Sequence, residues 1–214
     1  MSEDRHSQAE TVELIIDPQE KASREAENGV RQFKEALEII RAFVKSDNAF
    51  KLRQSVVLRL HQKALEGIHP LAGTYRNSPV YIGQSDHIPP PHTEVPDLVA
   101  EMCDYVNENW HMSAIHLAAY ILWRMNWIHP FADGNGRTAR VVSYVVLSIK
   151  LDSILPGAPT IPDLIAADKA PYYKALEGAD DSWKRGIIAV ADMETMLESM
   201  LAEQLLKATE EAAV

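Results

Sequence analysis

The sequence predicts an all-α fold, and three observations carry that expectation. Apolar residues recur at intervals of three and four through most of its 214 residues, the spacing that gathers one stripe on a helix. Ala114 to Ile128 is apolar almost all round, as a central, buried helix is. Pro79-Val80-Tyr81-Ile82-Gly83, rich in β-branched and aromatic side chains, reads as no more than a short strand. The length suits one domain with a sizeable core, and an apolar share of 46% suits a folded chain.

Taken in order, residues 1–16 read as a loose tail, with a short extended piece at Val12 to Ile16. Asp17-Pro18 is a helix-start signal. A short helix is expected from there to Asn28-Gly29, a stop signal. A second carries Val30, Phe33, Leu37, Ile40 and Val44 on one stripe. A third spans about Ala49 to Leu65, with Leu52, Val56, Leu60 and Ala64 in register, and Gly67 ends it. From about 71 to 96 helical periodicity vanishes among Gly, Pro, Ser and Asn residues, and Pro89-Pro90-Pro91 should lie extended. Helices resume at about Val95 to Asn109, then at Ala114 behind a Ser113 N-cap. A buried helix follows from Arg137 to about Leu151, and Pro156 to Pro162 is a loop. A short helix holds Tyr172-Tyr173 and ends near Gly178. The last helix, about Asp181 to Thr209, carries Ile187, Val190, Met193, Leu197 and Leu201.

Composition excludes several classes. Net charge is −10, with no Lys/Arg cluster of the kind a duplex nucleic-acid binder presents. No window of about 18 uninterrupted apolar residues offers a membrane span, and Met1 to Glu10 lacks the apolar core of a signal peptide. Cytoplasmic residence is the expectation. The single cysteine, Cys103, rules out an intrachain disulfide and reads as a small buried hydrophobe.

Chemistry concentrates between the two most apolar helices, in His129-Pro130-Phe131-Ala132-Asp133-Gly134-Asn135-Gly136-Arg137-Thr138-Ala139-Arg140. Gly134 and Gly136 can adopt backbone angles closed to other residues, so N–H groups can turn inward. A helix then begins, whose first N–H groups lack internal partners and favour an anion. Arg137 and Arg140 add planar forks suited to phosphate oxygens. Asp133 is a hard oxygen ligand of the kind Mg²⁺ takes beside substrate phosphates. His129 titrates near neutrality and could take a proton from a nucleophile. Together they point to transfer of a phosphorus group. Neither a dinucleotide fingerprint nor a G-x-x-x-x-G-K-[ST] loop is present.

This segment resembles the Fic-domain signature H-P-F-x-[DE]-G-N-G-R-x-x-R at every fixed position. The resemblance implies a Fic-type helical bundle with a small β-hairpin flap, and AMPylation: AMP passes from ATP to a Ser, Thr or Tyr hydroxyl of a protein, releasing pyrophosphate. It implies His129 as general base, Asp133 as Mg²⁺ ligand, and Gly134, Asn135, Gly136, Arg137 and Thr138 around the phosphates. Arg140 would pair with the γ-phosphate. Related Doc kinases carry a lysine where Gly136 stands, so Gly136 favours nucleotidyl transfer. The region from Gly73-x-Tyr75-Arg76 through Val80, Tyr81, Ile82 and Gly83 resembles the family's flap, which docks a target protein by strand addition. Tyr172 and Tyr173 match a pair lining the adenine pocket, and Asp180 stands where several members have asparagine. These matches leave the core at 30–180, with 181–214 packed on it.

Ser23-Arg24-Glu25-Ala26-Glu27-Asn28 matches the family's inhibitory motif [ST]-x-x-x-E-[GN], which makes 17–29 an inhibitory helix. By that resemblance Glu27 pairs with Arg140 and denies it to ATP. Removal of AMP with Glu27 orienting water stays open as an alternative, as does a catalytically vestigial peptide-binding module. A homodimer and auto-AMPylation also stay open.

Overall fold

The backbone of a computed structural model describes residue 5, residues 7–8 and residues 14–212. Two helices in contact flank the signature at the centre of the fold: α4 (Ala114–Ile128) and α5 (Asn135–Lys150). Leu117, Ile121, Trp123 and Met125 of α4 are fully buried, as are Val142, Val145 and Val146 of α5. Burying a side chain of this size is worth about 1.5–3 kcal/mol, so the pair forms the anchor on which the rest is laid. The remaining helices are α1 (Pro18–Phe43), α2 (Gln54–Leu65), α3 (Val95–Glu108), α6 (Ile161–Ala167), α7 (Ala170–Trp183) and α8 (Ala191–Ala212). α5 packs on α1, α2 and α6, while α4 packs on α3, α7 and α8. Ser113 caps α4 by accepting from the His116 N–H at 3.0 Å. No helix among the described residues is long and apolar enough to cross a membrane.

Several boundaries differ from the sequence expectation for tertiary reasons. α1 does not stop at Asn28-Gly29. Asn28 is fully buried, and its Nδ2 donates to the carbonyls of Ala64 at 3.3 Å and Glu66 at 2.8 Å. The residue read as a stop for α1 thus satisfies open carbonyls at the end of α2, and α1 continues beneath it. α2 begins at Gln54 rather than Ala49, because both backbone groups of Leu52 are taken by the Asn107 side chain, at 2.8 and 2.9 Å. α7 runs through Gly178 to Trp183, whose ring packs edge-on against Trp123 and Trp127. α8 therefore starts late, leaving Ile187 half-exposed in the preceding loop while Met193 and Leu197 are fully buried.

The flap also differs. Its strand β2 (Tyr81–Ile82) has no return strand in the flap among the described residues, so the expected hairpin is not formed there. Instead β2 pairs antiparallel with β1 (Ser7–Gln8), with Ser7 opposite Ile82 and Gln8 opposite Tyr81. Part of the expected loose tail is therefore paired. The extended piece expected at Val12 to Ile16 lies outside the described residues except at Leu14, Ile15 and Ile16. There the Leu14 N–H donates to the Ile68 carbonyl and Ile15 is buried.

Candidate active site

The α4–α5 loop is held by its own polar side chains. Asn135 grips Phe131 at both ends: its Oδ1 accepts the Phe131 N–H at 2.9 Å and its Nδ2 donates to the Phe131 carbonyl at 2.8 Å. The Phe131 ring stacks on His61 of α2, with centroids 3.6 Å apart. His61 in turn bridges two backbones. Its Nδ1 accepts the Gly73 N–H at 3.0 Å, so its Nε2–H is left to donate to the Asp133 carbonyl, also 3.0 Å away. Burial draws the His61 pKa down to about 4, which keeps it neutral for both bonds. Gly134 makes the turn at φ 76°, where an added Cβ would lie 2.5 Å from Leu65 Cδ2. Gly136 has no such requirement: it lies inside the first turn of α5 with a helical φ, and an added Cβ would meet only Arg140 Nη1 at 3.4 Å.

His129 ends α4 in the left-handed region, at φ 51°, with its N–H on the Met125 carbonyl. That angle is uncommon outside glycine. It swings the imidazole across the cavity, 6% exposed. Nδ1 lies 3.3 Å from the Asn126 carbonyl and Nε2 lies 2.8 Å from Ser7 Oγ. A carbonyl can only accept, so Nδ1 carries the hydrogen and Nε2 presents a lone pair to the hydroxyl. Burial pulls the His129 pKa down to about 3, against the opposing Asn126 bond, so the ring is neutral near pH 7. Arg76 fixes the His129 backbone from the flap side. It is 3% exposed, and its guanidinium donates to the carbonyls of His129 at 2.8 Å and Pro90 at 2.5 Å.

These groups face a cavity of about 590 Å³, within the range of small-molecule sites. Arg5, Lys21, Arg137, Arg140 and Lys169 all line it. Five cations gathered at one cavity of a chain with net charge −10 mark a site for an anion. Arg137 Nη2 lies 3.3 Å from Asp133 Oδ2, and its Nη1 lies 3.3 Å from Glu25 of α1. Asp133 Oδ1 accepts the Gly134 N–H at 2.6 Å. Tyr172 is buried and its hydroxyl accepts from Asn126 Nδ2 at 2.6 Å, while Tyr173 presents its ring to the Arg5 guanidinium at 4.4 Å. Asp180 lines the same cavity, but one oxygen accepts the Trp123 indole N–H at 2.8 Å and the other lies 3.7 Å from His87 Nδ1. Burial pushes the Asp180 pKa upward.

The structure thus brings together His129, Asp133, Gly134, Asn135, Gly136, Arg137, Arg140, Tyr172, Tyr173, Asp180 and, from the flap, Ile82. It leaves out others. Thr138 is fully buried and does not line the cavity. Val80 is buried behind the flap and Tyr81 points outward, 68% exposed. Ser23 and Glu27 are both exposed, and Glu27 has Arg24 as its ion-pair partner, at 3.9 Å, instead of Arg140. Helix geometry explains this. Asn28 and Gln32 set the buried face of α1. At about 100° per residue, Lys21 and Glu25 fall on the Asn28 side, while Glu27 is turned away. His61, Arg76, Asn126, Lys21 and Glu25 were not read as site residues. Outside the flap pattern that includes Arg76, the available signal was a polar residue, His61, within four of Val57 and of Leu65 on a stripe otherwise apolar.

Comparison with known proteins follows the same lines. Residues 51–147 match the Fic/DOC family. A protein adenylyltransferase Fic from Nematostella vectensis is 33% identical over 133 residues, which cover 58% of this chain and 28% of that protein. Protein adenylyltransferase fic-1 from Caenorhabditis briggsae is 31% identical over 127 residues, covering 58% and 23%. The chain therefore spans about a quarter of the length of the curated relatives it matches. Among solved structures, Fic-1 from C. elegans aligns over 93% of this chain and 55% of its own, at 20% identity and a TM-score of 0.70. A Fic family protein from Desulfovibrio desulfuricans G20 aligns over 93% and 68%, at 19% identity and a TM-score of 0.58. The helical architecture is that of Fic proteins.

Proposed function

We propose that this chain transfers AMP from ATP to a hydroxyl of a polypeptide, releasing pyrophosphate. One observation carries the reading: a neutral His129 aims an Nε2 lone pair at a hydroxyl oxygen 2.8 Å away, at the rim of a cation-lined cavity. That is the distance a general base needs. The curated relatives are named adenylyltransferases, which supports AMP as the group moved. Arg137, Arg140 and the first N–H groups of α5 would hold phosphate oxygens and offset charge developing at the α-phosphate. Tyr172 and Tyr173 would flank the base.

A Mg²⁺ ion fits Asp133. Ions bound mainly through phosphates need one or two protein carboxylates, and Asp133 is a carboxylate at the cavity beside the two arginines, with no group of three metal-binding side chains among the described residues. When bound, Mg²⁺ would neutralise phosphate charge. A target protein would dock by adding a strand to the backbone edge of β2, in the place that β1 takes.

The restraint on the site falls to Glu25 in our reading. Its carboxylate holds Arg137, which is itself part-exposed, so the contact is a modest one. The Glu25→Ala change should raise transfer several-fold, and Glu27→Gly should leave it unchanged. A rise in the Glu27 variant alone would contradict this assignment. The reaction itself is tested with ATP labelled at the α- or the γ-phosphate. Label should pass to protein from the α position only, and His129→Ala should lower that transfer by roughly 10²–10⁴-fold or more while sparing nucleotide binding. Transfer from the γ position would make the protein a kinase.

A further inference from the structure

We propose that Ser7 is a self-modification site, its hydroxyl accepting AMP from a nucleoside triphosphate bound in the cavity of the same chain. The inference rests on the transfer reading above and names its acceptor. Three features support it independently. The first is register. β1 pairs with β2 so that Ser7 stands opposite Ile82, which lines the cavity. A slip of one residue would turn the hydroxyl to the other face of the strand. The second is hydrogen-bond direction. Asn135 Nδ2 donates to Ser7 Oγ at 3.3 Å, and the Nδ1–H of His129 is committed to Asn126, so Ser7 must donate its own hydrogen to Nε2. The oxygen is therefore oriented with a lone pair free for attack and its proton already aimed at the base.

The third feature is anchorage. Two residues upstream, the Arg5 guanidinium lies over the Tyr173 ring and pairs with Glu177, and the Arg5 backbone N–H donates to the Tyr173 hydroxyl at 3.2 Å. The segment is thus held on the flap at one side of the cavity and on α7 at the other, with Ser7 between. In the step itself, a bond forms between Ser7 Oγ and the α-phosphorus. The bond from the α-phosphorus to the bridging oxygen breaks, and pyrophosphate leaves with the electron pair. The Ser7 proton passes to His129 Nε2. Because hydroxyl and base lie on one chain, the reaction should be first order in protein.

The test uses the full chain and its Glu25→Ala variant, each with Mg²⁺ and ATP labelled at the α-phosphate, followed by digestion and tandem mass spectrometry. The expected result is an adenylyl group on Ser7, at a rate per chain that does not change with protein concentration. Ser7→Ala should remove that label, and Ser7→Thr should retain it at a reduced rate. Label on other residues, or on an added protein, with Ser7 bare overturns this inference and leaves the transfer reading standing. No AMP on any polypeptide from either form overturns both. A rate per chain that rises with protein concentration overturns the same-chain step.

Discussion

At His129 one backbone angle and one carbonyl set the chemistry. The left-handed turn ends α4 and throws the ring into the cavity, and the Asn126 carbonyl selects the tautomer. Burial has a measurable consequence for stability. The His129 pKa lies near 3 in the folded chain and near 6.5 when unfolded. Between those values the unfolded chain binds a proton that the folded one refuses, so stability falls as pH drops through that window, by up to about 1.4 kcal/mol per pH unit for one such group. Urea unfolding between about pH 6 and pH 4 should show a shallower loss for His129→Ala than for the parent chain; equal slopes would mean that the ring is protonated in the native state. The signature from His129 to Arg140 was legible because its chemistry is contiguous: base, carboxylate, turn and arginines lie within one loop. Arg76 was legible only as part of the flap pattern. Its role, donating to the carbonyls of His129 and Pro90, depends on a fold that joins distant segments.

At the scale of elements, periodicity foretold most helices, and capping residues misled where a neighbour claimed them. Asn28-Gly29 is a stop signal in sequence, yet Asn28 serves the end of α2 and Gly29 sits in mid-helix facing open space. Glycine there costs roughly 0.5–1 kcal/mol relative to alanine. Gly29→Ala should therefore raise stability by about that amount, read as a higher urea midpoint at unchanged slope; destabilisation would mean that α1 breaks at this point. The same continuity decides which glutamate reaches the site. A motif counts residues, whereas a helix turns them through about 100° each, and the buried contacts of Asn28 and Gln32 bring Glu25 round while sending Glu27 outward. The strand at Tyr81–Ile82 was legible in its β-branched and aromatic composition, but β1 and its pairing with β2 were not. Two residues near the start pair with two more than seventy positions later, and two-residue strands carry no alternation to read.

Across the whole molecule, charge is distributed against its own average. A chain of net charge −10 places five cations around one cavity, and the helices that form it all lean on the α4–α5 pair. Composition spoke against a basic nucleic-acid surface and could not foresee this local reversal, because the cations come from the tail, α1, α5 and the residue preceding α7. On the reading proposed above, His129 drives transfer of AMP at this cavity while Glu25 restrains it. The most direct test is the initial rate of protein labelling from ATP labelled at the α-phosphate, compared among the parent chain, Glu25→Ala, and Glu25→Ala combined with His129→Ala. A several-fold gain is expected in the single variant and near-complete loss in the double. Labelling that survives in the double variant would contradict that reading.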